Sequence, residues 1–201
     1  MKLSKAAKRV MSLALATAVT VGSVAVAPAP KKADAASKYT AYLCFATKKW
    51  NHRNNHNDSG FSTKVLTEKK KVNAKAKKAK FKNATVKMSK SSKTYTVSLT
   101  GLKSGAISKD GGWNSLYVDT NIPAKYKKKF KVSKLTVKVD GKTVKTIKNP
   151  VITPDPGASD AYCQVLVINT WNSRCNKRTN ATSVKMPKKS ISVSFTVKKF
   201  K

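Results

Sequence analysis

The chain has 201 residues, of which 43 are Lys or Arg and only eight are Asp or Glu, giving a formal charge of +35 at neutral pH. That balance excludes cationic partners and points to polyanions. All but four of the cations are lysine, a hydrated point charge rather than the bidentate fork of arginine, which disfavours sequence-specific reading of nucleic acid.

Residues 1–36 read as a signal peptide. Lys2, Lys5, Lys8 and Arg9 form the positive end, Val10 to Ala27 is an apolar run of small residues, and Ala33-Asp34-Ala35 supplies the cleavage pattern. The run is rich in Ala, Thr, Ser and Gly and ends at Pro28 and Pro30, so it predicts export rather than a stable transmembrane anchor. The expected product is a secreted, extracellular protein, with a charge that suits association with the cell wall. Residues 37–201 then form a single domain, which retains 37 basic and seven acidic residues, a formal +30.

Tyr39 to Ala46 alternates at period 2 and predicts a strand. It opens into a turn-rich loop that holds Trp50, Arg53, Asn54, Asn55 and Asp58 together with both histidines, His52 and His56. An aromatic face beside amides and a guanidinium is what sugar binding asks for, so this loop is the leading candidate site. The histidines sit four apart, but the Asn and Asp between and after them favour turns over a shared helical face, and no metal site is expected.

Phe61–Leu66 is a short strand candidate. Residues 67–83 are a Lys/Ala-rich insertion, expected as an exposed loop or marginal helix; Lys69, Lys70, Lys71, Lys77 and Lys78 are candidate polyanion contacts. Strands follow at Ala84–Met88 and Thr94–Leu102, separated by a hairpin-like gap at 89–93, and at Trp113–Thr120, Phe130–Val139 and Lys142–Ile147. Asp140-Gly141 predicts a type I′ turn between the last two. A second basic run contributes Lys127, Lys128 and Lys129. Residues 149–160 read as a Pro/Gly loop, Ala161–Thr170 as a central strand covered on both faces, and Lys188–Phe200 as the closing strand. Asn169 and Trp171, with Asn172 and Arg174, make a second sugar-binding candidate, and Trp113 with Asn114 a third, weaker one.

Short strands at near-regular spacing, with no strong helical period, predict an all-β fold, an antiparallel β-sandwich of jelly-roll type with its first and last strands as neighbours. Export permits a disulfide among Cys44, Cys163 and Cys175; Cys163–Cys175 and Cys44–Cys163 are both open. Residues 37–201 hold one glutamate, Glu68, and no paired carboxylates or nucleophile elbow, so no enzyme and no cofactor are expected.

Tyr39–Leu43, Trp50 with Arg53-Asn54 and Asp58, Thr94–Leu99, Asn114–Val118, Val137–Lys142 and Val167–Trp171 together resemble small secreted β-sandwich proteins of gut-type Firmicutes. Many of these have no assigned function, and they look like the non-catalytic carbohydrate-binding modules of secreted glycoside-degrading enzymes. The resemblance implies a sandwich that binds a glycan; the lysine content departs from it and turns the expected ligand from neutral to anionic. The expected partner is thus a glycan or other polyanion on a bacterial or host cell surface, with nucleic acid bound only nonspecifically. A cationic envelope- or membrane-associating protein, antimicrobial in action, and a nonspecific extracellular nucleic-acid binder are the alternatives.

Overall fold

The computed structural model describes residues 38–49, 79–154 and 162–198. Ten strands run through them: β1 (Lys38–Thr47), β2 (Lys80–Lys82), β3 (Ala84–Lys87), β4 (Lys93–Thr100), β5 (Trp113–Thr120), β6 (Val132–Val139), β7 (Lys142–Lys148), β8 (Ile152–Pro154), β9 (Cys163–Asn169) and β10 (Ile191–Val197). They pair antiparallel into two five-stranded sheets, β3-β1-β5-β9-β8 and β2-β4-β10-β6-β7. A single turn of helix, α1 (Ser173–Asn176), follows β9. The fold is an antiparallel β-sandwich, as the strand pattern predicts. No helix among the described residues is long and apolar enough to cross a membrane.

The second sheet follows its sequence most directly. In β10 the residues Ile191, Val193, Phe195 and Val197 are buried and the Ser and Thr between them are not. β6 does the same with Val132, Leu135, Val137 and Val139. Period-2 side chains put all of these on the inner face, against Ala41, Leu43 and Phe45 of β1 and Leu116 and Val118 of β5 in a common core. Asp140 and Gly141 turn β6 into β7 with φ of 50° and 85°, the left-handed pair a type I′ turn requires.

The first sheet is buried on both faces at its centre. Cys44, Tyr117 and Leu166 lie opposite one another in register across β1, β5 and β9. They form a second, smaller apolar cluster with Val151 and with Cys175 of α1. This explains why β9 reads as an almost continuous apolar run.

Several expectations are corrected. The end of the Lys/Ala-rich insertion is strand rather than loop or helix: β2 pairs with β4, and Phe81 packs against the core. Residues 89–93 are no hairpin, because β3 belongs to the first sheet and β4 to the second. Residues 152–154 of the expected loop form β8, paired with β9. The first and last strands are not neighbours; β1 and β10 lie in different sheets. Neither disulfide expected is present: Cys44, Cys163 and Cys175 are all free. Cys163 sits in the core between the sheets, while Cys44 and Cys175 belong to the outer cluster, so both pairings would bridge separate clusters.

Candidate anion-binding groove

Three aspartates supply all the carboxylates among the described residues, and each is committed elsewhere. Asp110 is buried and accepts a hydrogen bond from the Thr47 hydroxyl at 3.0 Å. Its burial pushes the carboxyl above its ordinary range, only partly offset by Thr47 and the charge of Lys49. Asp119 is wholly buried in β5. Asp140, in the β6–β7 turn, accepts the backbone N–H groups of Lys188, Lys189 and Ser190 at 3.1, 2.7 and 2.9 Å.

Far more cations than carboxylates remain, and at one edge of the sandwich several converge. Here the chain leaves the second sheet at the end of β7 and crosses to β8 of the first. Asn149 makes that corner with φ of 45°, a left-handed conformation that asparagine tolerates, and its N–H donates to Ser133 O at 2.9 Å. Pro150, Val151 and Ile152 follow and form the apolar wall of a cleft of about 400 Å³. Lys127, Lys131, Arg174, Arg178 and Lys198 line the same cleft, with no carboxylate among the described residues there.

Those five cations come from three places in the chain. Lys127 follows the turn at Ala124–Tyr126. Lys131 precedes β6 and is tied to Lys198, just past β10, by the Lys198 N–H donating to Lys131 O at 2.8 Å. Arg174 and Arg178 are four apart, so α1 and its last turn present them on one side. Asn172 caps that turn by accepting from the Cys175 N–H at 3.0 Å, and the Cys175 thiol is anchored on Val167 O of β9. The Arg178 guanidinium donates to Asn149 O, which fixes it against the corner.

The groove's cations act on the thiols beneath them. Burial pushes Cys163 up to about 11, against the opposing charge of Lys127. It pushes Cys175 to about 11 as well, against the hydrogen bond at Asn169 and the charge of Arg178. Both are neutral thiols at physiological pH, not thiolate nucleophiles.

The three tryptophans part company. Trp113 is fully buried, packs edge-to-face on Phe45 at 5.7 Å and donates from Nε1 to Val184 O at 2.9 Å. It is a core residue, and the sugar-binding expectation for it is corrected. Trp171 is 57% exposed, as a stacking surface must be. Asn169, however, is engaged locally: its Oδ1 accepts the Trp171 N–H at 3.0 Å, which shapes the turn. Trp50, Arg53, Asn54, Asn55 and Asp58 lie outside the described residues, as do Lys69, Lys70, Lys71, Lys77 and Lys78.

Of the second basic run, Lys127 lines the cleft, and Lys128 and Lys129 are exposed beside it without lining it. Sequence reasoning missed Arg178 and Lys198. The one available signal was that Arg174 and Arg178 stand close together in a chain otherwise built on lysine. Among the described residues no three His, Cys, Asp or Glu side chains gather as metal ligands would. The chain matches no family model, no curated protein and no solved structure.

Proposed function

We propose that the protein is an exported, non-catalytic binder of anionic glycans that works through the basic groove at the β7–β8 edge. The observation that carries this reading is a cleft walled by five cations from three segments of the chain, with an apolar side and no acidic residue among the described residues that line it. Clustered positive charge against a low-dielectric wall attracts polyanions and strengthens each contact made there. Ile152, half-buried on the apolar side, can meet the carbon face of a sugar ring, and exposed Trp171, three residues before Arg174, offers a stacking surface on the same segment. The non-catalytic part is supported by the chemistry of the described side chains: the three carboxylates are committed at separate places, and two thiols are held neutral.

The test is a glycan array probed with the purified protein at low and high salt, with duplex DNA alongside, repeated for the double variant Arg174→Ala/Arg178→Ala. Sulfated, phosphorylated or carboxylated glycans should bind, neutral ones should not, and the double variant should lose about tenfold or more in affinity. Indiscriminate binding of every polyanion, DNA included, that disappears at high salt and ignores the double variant would leave only diffuse lysine charge as the activity.

A further inference from the structure

The cleft does not end at Arg178. A second depression, of about 420 Å³, runs along β7 past Lys145 and Lys148 and ends at Asn149 and Arg178, the two residues that also line the first. Arg178 stands at the junction, held by Asn149 O. Lys145 and Lys148 stand about 10 Å apart along β7, on alternate sides of the strand, and both line this depression. Lys145 and Lys148 thus line one depression and Lys127, Lys131, Arg174 and Lys198 the other, with Asn149 and Arg178 common to both. Among the described residues no aromatic side chain lines either depression, whereas single-stranded nucleic acids depend on a series of stacking platforms.

We infer that the two depressions form one track for a linear anionic glycan, read as a run of several charged units rather than as a single anionic group, with Arg178 as the contact common to both halves. This inference rests on the anionic-glycan reading above and adds the form of the ligand. A chain that fills both halves joins two weak contacts into one, so affinity depends steeply on chain length.

Calorimetry with the full chain and two heparin-derived probes, a disaccharide and an octasaccharide, tests this against single-stranded DNA of matched charge. The octasaccharide should bind one per protein and at least about tenfold tighter than the disaccharide. Lys145→Glu and Lys198→Glu, exposed or half-buried changes in opposite halves, should each weaken the octasaccharide by about tenfold, and Arg178→Ala by at least as much. Circular dichroism confirms that each variant is folded. Equal affinity for the two probes, or an octasaccharide indifferent to Lys145→Glu, overturns the track while leaving anionic-glycan binding intact. Binding of neither probe sinks both readings, and DNA bound as tightly as the octasaccharide overturns the glycan class.

Discussion

The first sheet is buried on both faces across β1, β5 and β9, whereas the second is buried on one face and presents Ser, Thr and Lys on the other. On the open face Thr94 meets Thr196 and Thr96 meets Ser194, each pair at 2.8 Å between hydroxyl oxygens, and Lys134 and Lys138 stand beyond them on β6. On the covered face a row of Cys44, Tyr117 and Leu166 is roofed by Cys175 and Val151. The roof is also what carries the groove: Cys175 lies between Arg174 and Arg178, and Val151 is in the groove's wall. Apolar cover on one sheet thus fixes a charged site at its edge, while on the open sheet the Thr and Ser hydroxyls of β4 and β10 pair with one another.

The largest effect expected from breaking this arrangement is at Trp113. Trp113→Ala removes a fully buried ring, its edge-to-face contact and the Nε1 bond to Val184 O, and should cost about 3–5 kcal/mol in urea unfolding. Trp171→Ala should stay within about 0.5 kcal/mol, because that ring is largely in water. Similar costs for the two would mean that the contrast between core and surface tryptophan is drawn wrongly.

A smaller effect sharpens the comparison between the sheets. Leu166→Ala opens the covered row and should cost about 2–4 kcal/mol, while Thr96→Val, on the open face of the other sheet, should cost under about 1 kcal/mol. Because α1 rests on that row, Leu166→Ala should also weaken anionic-glycan binding, though it touches no groove residue's charge. Stability lost with binding unchanged would separate the roof from the site.

The same contrast explains what could be read from sequence. β6 and β10, with one face wet, show period-2 alternation; the bounds of β6 and β7 are predicted to within two residues, and β10 is expected from Lys188, three residues before it starts. β9, dry on both faces, still reads as a strand because its apolar run is short and β-branched. The order of strands is not legible, since alternation says which face a residue takes and not which sheet. That is why 89–93 reads as a hairpin although it crosses between sheets. β2 is hidden because Lys80 and Lys82 look like the lysines before them, and only Phe81 turns inward. The groove fails to appear for a related reason: Lys127, Arg178 and Lys198 become neighbours only through the pairing of β6 with β10 and the packing of α1 on β9.

The subtlest effects concern Asp110 and Asp140, which should respond to pH in opposite directions. Burial of Asp110 favours the proton in the folded state, so its ionised form costs stability at neutral pH, a cost relieved as pH falls through the raised folded value. Asp110→Asn keeps an acceptor for Thr47 and removes that charge; it should leave stability at neutral pH unchanged or raise it by up to about 1 kcal/mol. At Asp140 burial also pushes upward, but the N–H donors of Ser190, Lys189 and Lys188 and the Lys189 charge outweigh it and hold the carboxyl below its ordinary value. Its stabilisation is present above the unfolded value and lost as pH falls through the folded one. Asp140→Asn should therefore cost about 1 kcal/mol at neutral pH, discounted because the turn is exposed, and nothing once wild-type Asp140 is protonated. Urea midpoints from neutral to acidic pH distinguish the two: the Asp140→Asn curve should converge on wild type as pH falls, and the Asp110→Asn curve should lie on or above it at neutral pH. A midpoint that falls as steeply with acid in Asp140→Asn as in wild type would show that the three N–H donors at this turn do not hold a charge at all.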